Sequence, residues 1–150
     1  MMNPTDFHKT AEFLKDQKEE WHVRTTVNRS YYGAFLYLRE FLTCQGVKLP
    51  DPREKSHHKF ILKCFEESKT ATMATKDKIN GKILGKIWLK LRDLFQDRIY
   101  ADYRLDIKFL PTQSQDSLDL AKDIIGYFDS LRKSPAETLF ISIAHSMSCN

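Results

Sequence analysis

The 150-residue chain has only five glycines and five prolines, too few for the many tight turns of a β protein. No stretch alternates apolar and polar residues over the length of a strand. Long apolar runs are missing as well. Nothing approaches the roughly 18 consecutive apolar residues that a membrane span requires, and residues 1–6 lack the apolar core of an export signal. Three cysteines, Cys44, Cys64 and Cys149, are an odd number without close spacing. They read as reduced thiols of a cytoplasmic protein, not as a disulfide frame or a zinc site. Catalytic signatures are equally scarce. The five histidines, His8, His22, His57, His58 and His145, show no His-Glu-x-x-His or other helical metal spacing. There is no Gly-x-Ser-x-Gly elbow, and Gly81 and Gly85 lie inside a helical pattern, where a phosphate loop would follow a strand. The expectation is a protein without metal or cofactor and without acyl-transfer chemistry.

What the chain does have is helical periodicity, and the fold class it predicts is all-α. Five helices are expected, over residues 5–19, 23–45, 56–68, 76–103 and 111–133. In the second, Val23, Val27, Tyr31, Ala34, Leu38, Phe41 and Leu42 keep steps of three and four, and Gly46 is placed to cap its C-terminus. Residues 47–55, with Pro50 and Pro52, read as a loop, and the small polar stretch 69–75 reads as a linker. Residues 1–133 thus make one helical domain. After Ser134-Pro135 the remainder, 134–150, is expected to be a short tail whose apolar knot (Leu139, Phe140, Ile141, Ile143) packs on the domain or on a second copy.

Charge is mild in sum, +4, but uneven. Between residues 69 and 92 there are seven basic residues and one acid, Asp77. Lys78, Lys82, Lys86 and Lys90 recur every fourth position on one helix face, and such like-charged neighbours cost roughly 0.2–0.5 kcal/mol per pair. The ladder lies opposite the Leu91/Leu94/Phe95 stripe. It is either a solvated face that aids solubility or a strip that meets nucleic-acid phosphates.

Two charges break the apolar pattern. Arg98 and Asp102 stand one helical turn apart among Leu91, Leu94, Phe95, Ala101 and Leu105, on the side that should face the core. A guanidinium and a carboxylate are costly there unless paired and hydrogen-bonded, so the pair marks an internal ion pair or a functional site. On the second helix Arg24, Asn28, Tyr32 and Arg39 form a band beside the apolar face. Arginine and tyrosine beside an Arg/Asp pair are suited to gripping a phosphodiester and moving a proton.

Three short motifs resemble a known family. Asn28-Arg29-Ser30-Tyr31-Tyr32-Gly33-Ala34-Phe35 resembles the S-R-x-Y-Y-A-A-F helix of HEPN domains, the nucleotide-binding helical domains of higher eukaryotes and prokaryotes. Lys55-Ser56-His57 is similar to the K-T-H of one prokaryotic branch, and Arg98-Ile99-Tyr100-Ala101-Asp102-Tyr103 to its R-x-x-A-D-Y. The resemblance covers roughly residues 5–133. It implies an up-and-down five-helix bundle that forms a homodimer. It also implies RNA or nucleotide binding, with metal-independent endoribonuclease activity of the toxin or phage-defence type. In some members a small nucleotidyltransferase serves as antitoxin. Active members carry Arg, four to six residues, then His on the penultimate helix. Here the fifth residue after Arg98 is Tyr103, and a formal Arg-x4-His pair, Arg53 and His58, falls instead on the proline loop and the start of the third helix. The residues expected to act are therefore Arg98 as phosphate clamp, and Asp102 or Tyr103 as the proton-handling or orienting group. Arg29, Tyr32, His57 and the four lysines are the expected substrate contacts. The alternatives are a non-catalytic HEPN binding or scaffold protein in which Arg98–Asp102 is a structural ion pair, and a plain helical module that docks through residues 139–143.

Overall fold

The computed structural model of the chain describes residues 3–51 and 56–148. Among them the protein is all-α, with six helices and no strand: α1 (Pro4–Leu14), α2 (Glu20–Cys44), α3 (Ser56–Ala74), α4 (Lys78–Tyr103), α5 (Thr112–Ser130) and α6 (Pro135–Ser148). None of these is long and apolar enough to cross a membrane. Lys55 and Arg53 lie outside the described residues.

The sixth helix corrects the expected five. Ser134-Pro135 begins an element instead of ending the fold, because proline at a first helical position lacks only an N–H that would have no intrahelical partner anyway. The Ser134 hydroxyl accepts from the Glu137 backbone N–H at 3.3 Å, which caps the new helix. A second difference is the expected linker 69–75, which is helical to Ala74. Hydroxyls at and before its start turn back on the helix: Ser68 Oγ donates to the Cys64 carbonyl at 2.6 Å, and Thr70 Oγ1 to the Glu66 carbonyl at 3.1 Å. Ser68 and, within the stretch, Thr72 are buried, while most of residues 69–75 are exposed. A third concerns Leu105, which the periodicity places in the core. The helix ends at Tyr103, and Leu105 is 82% exposed.

The chain folds as two compact units, residues 1–37 with 90–125 and residues 38–89 with 126–150. In the first, Tyr31 sits at the centre, with Phe35 and Phe95 each 5.5 Å away between ring centroids. Ala11, Leu91, Leu94, Leu118 and Ile124 are buried in the same unit. A smaller cluster of Val23, Val27, Ala101 and Phe109 packs with Tyr100 and Ile107. In the second unit Phe65, Phe128 and Phe140 form an aromatic triangle with centroids 4.5–6.1 Å apart. Each such buried side chain contributes roughly 1.5–3 kcal/mol. Phe140 belongs to α6, which lies along α3. The strongest apolar residue of the expected docking knot is thus consumed internally. Gly81 and Gly85 sit within an unbroken α4. A Cβ at Gly81 would come within 2.6 Å of Met73 Sδ, so the missing side chain leaves room for the Met73 side chain of α3.

Candidate functional site

Arg98 and Asp102 lie in the first unit and are paired, as their spacing on α4 allows. Arg98 Nε stands 2.9 Å from Asp102 Oδ2, with the two side chains 13% and 25% exposed. The Nε–H is not aligned on that oxygen and has no hydrogen-bond partner, so the contact is an ion pair only. The alignment is spent elsewhere: Nη2 donates to the Tyr32 hydroxyl at 2.8 Å. Asp102 in turn accepts from Asn28 Nδ2, at 2.9 Å to Oδ1 and 3.1 Å to Oδ2. The guanidinium is flanked by two rings, Tyr32 at 5.4 Å and Tyr103 at 5.7 Å from Cζ to centroid. Helices α2 and α4 therefore bring Tyr32, Arg98, Asp102 and Tyr103 together. Asn28, expected only as a member of the α2 band, takes part as the partner of Asp102. Beneath them burial pushes the Tyr31 phenol up, with Tyr32 adding to the shift, which leaves it a structural ring.

The end of α4 is held by Arg24, a member of the α2 band whose guanidinium is spent on backbone carbonyls. Arg24 Nη1 donates to the carbonyls of Tyr100 (3.3 Å) and Ala101 (3.0 Å), and Nη2 to those of Arg104 (3.3 Å) and Ile107. These include carbonyls that a helix C-terminus leaves unsatisfied, and a cation is the favoured partner there. Glu20 Oε1 accepts from Arg24 Nη2 at 2.7 Å and Nε at 2.9 Å, which fixes the guanidinium and holds the Glu20 carboxyl below its ordinary range. Arg24 Cζ also lies 4.7 Å from the Phe109 ring centre. The last turn of α4, with Asp102 and Tyr103, is thereby tied to the first turns of α2.

The other expected contacts are more scattered. Arg29 is in the first unit, its Cζ 5.3 Å from the Phe7 ring centre, and Phe7 is 6.0 Å from Tyr32. Lys90 is in the same unit but engaged, its Nζ 2.8 Å from Asp123. Lys78, Lys82 and Lys86 are exposed and belong to the second unit, where Lys86 Nζ stands 5.3 Å over the Tyr127 ring. His57 is also in the second unit, 6% exposed, with Arg39 Nη1 2.8 Å from both ring nitrogens. An arginine can only donate, so His57 accepts and is neutral in this contact. Burial first, and Arg39 second, hold its pKa below the ordinary imidazole value. Buried and engaged in this way, His57 offers no edge to a ligand. Among the described residues no group of three or more His, Cys, Asp or Glu is arranged to hold a metal ion.

An all-helical protein with a half-sealed Arg–Asp–Tyr cluster is the class these features define. No family model matches the chain, and no solved structure matches it. Over 72 residues the chain is 33% identical to an uncharacterized protein of Methanocaldococcus jannaschii. The match covers 46% of this chain and 43% of that protein, so less than half of the relative's length is spanned.

Proposed function

We propose that the chain is a HEPN-like RNA-binding protein of up-and-down helical architecture. It acts as a homodimer and cleaves RNA without metal, in the manner of toxin or phage-defence ribonucleases. The observation that supports this reading is the placement of Arg98. Its side chain is 13% exposed, stands between two tyrosine rings, and is held by Tyr32 and Asp102. Such a cation is pre-positioned, so little is lost in ordering it when a phosphate arrives. Arg98 would carry the phosphate charge, and Tyr103 or Asp102 would handle or orient the proton of the attacking hydroxyl. Lys78, Lys82 and Lys86, exposed on α4, would supply sequence-independent attraction.

One observation favours a second reading, binding without cleavage. Asp102 already accepts two contacts from Asn28 and faces Arg98, and a carboxylate so engaged is a weak base. Labelled RNA incubated with the protein in excess chelator separates the two. Cleavage by the wild type, lost in a folded Arg98→Ala variant, supports the enzyme. Binding with no cleavage, together with a lower melting temperature for Arg98→Ala, supports the scaffold. Neither binding nor cleavage would dismiss both. Solution mass tests the dimer, and co-purification with a nucleotidyltransferase would identify the antitoxin partner.

A further inference from the structure

Resting on the RNA-binding reading, we infer that Tyr103 is a stacking platform, by which the Arg98 site takes a phosphate that carries an unpaired nucleobase and grips that base by its face. Tyr103 is 68% exposed, although its ring lies 5.7 Å from the Arg98 guanidinium. The side chain thus leans on a cation while most of it remains open to solvent. The part of the phenol ring left in water is an open apolar surface. A base stacks on such a ring with any sequence, because every base has a π-face. The guanidinium alongside is where the phosphate of the same nucleotide would go, so one nucleotide engages both groups.

The platform is also rigid. Tyr103 is the last residue of α4. The carbonyls of Tyr100 and Ala101 before it, and of Arg104 and Ile107 after it, all accept from Arg24. With its backbone tied at both sides, the ring has only its two side-chain torsions left to lose on binding, which favours stacking. A paired base inside a duplex has no free face to offer, so the site discriminates against double strands without reading a base edge.

The test uses the full chain and a short single-stranded 2′-O-methyl oligoribonucleotide, labelled at one end, with binding followed by anisotropy in excess chelator. Because Tyr103 is exposed, its substitution leaves the core intact, and a melting curve confirms this. Tyr103→Ala should bind about tenfold more weakly, and Tyr103→Phe within about twofold of the wild type, since stacking contributes on the order of one tenfold step per base. An otherwise identical abasic strand should bind the wild type more weakly, and Tyr103→Ala should show no further loss on that strand. Equal affinity of wild type and Tyr103→Ala for the intact strand would overturn the inference while leaving RNA binding standing. So would the same abasic penalty in both proteins. A wild type that fails to bind the strand at all would instead remove the RNA reading, and this inference with it.

Discussion

Arg98 shows how a single residue can be costly and still be kept. Its Nε–H finds no aligned acceptor, yet Nη2 reaches Tyr32 and the charge faces Asp102. Replacing it with alanine leaves Asp102 to Asn28 alone and strips a donor from Tyr32. Stability should fall by about 1.5–3 kcal/mol, the usual worth of a hydrogen bond to a charged group; a urea midpoint unchanged from wild type would show that the cluster carries no structural weight. Arg98→Lys should not restore it, because an ammonium lacks the planar fork that serves a hydroxyl and a carboxylate together. The Arg98/Asp102 pairing is readable in the sequence, since charges at i and i+4 inside an apolar stripe are visible by spacing alone. Asn28 is much less so. A neutral amide carries no charge signal, and what makes it a partner of Asp102 is the proximity of α2 to α4, 74 residues apart in the chain.

At the scale of the helix, the glycines of α4 and α5 separate packing from propensity. A Cβ on Gly126 would meet nothing within 4 Å, and one on Gly85 would meet Lys69 Cδ at an ordinary 3.5 Å. Gly126→Ala and Gly85→Ala should therefore each raise stability by about 0.5–1 kcal/mol, the helix preference of alanine over glycine. Thermal melts check this, and a loss at Gly85 would mean that α3 lies closer than its contacts indicate. Arg24→Ala should do the opposite. It leaves the end of α4 uncapped and should cost about 2 kcal/mol, as for hydrogen bonds to charged groups. Hydrogen exchange should speed up locally over residues 100–107; uniform exchange there would contradict the clasp. Helix existence was legible in the periodicity of Val23 to Leu42, but two boundaries were not. The stretch 69–75 looks like a linker because its threonines favour turns in isolation. It is nevertheless helical to Ala74, where Thr72 is buried and the Thr70 hydroxyl finds its acceptor one turn back on the same helix. Leu105 fits the helical period, but the helix stops two residues earlier, where Arg24 takes over the carbonyls.

For the molecule as a whole, each unit carries a histidine whose protonation burial disfavours. Burial lowers the pKa of His8 in the first unit and, with Arg39 adding, of His57 in the second. The unfolded chain takes up these protons near the ordinary imidazole value of 6.5, whereas the folded protein resists them until lower pH. Stability is therefore full above that value and declines as pH falls below it. The melting temperature should drop from about pH 7.5 to about pH 5.5, and His57→Gln, which keeps an acceptor for Arg39, should flatten the slope. A slope unaltered by both His57→Gln and His8→Gln would place its origin elsewhere. A second, more acidic window belongs to Glu12, whose carboxyl Lys122 and Lys15 hold down to about 2 from 4.5. Its contribution is present above the unfolded value and is lost as pH falls from there toward the folded one.

The aromatic triangle sets an order of events during synthesis. The first unit draws its last residue from position 125, but the second needs Phe128 and Phe140 to cover Phe65. The ribosome therefore delivers everything the first unit requires before the second can close. Until α6 has emerged, Phe65 lacks the cover of Phe140, and that interval is when a chaperone has most to do.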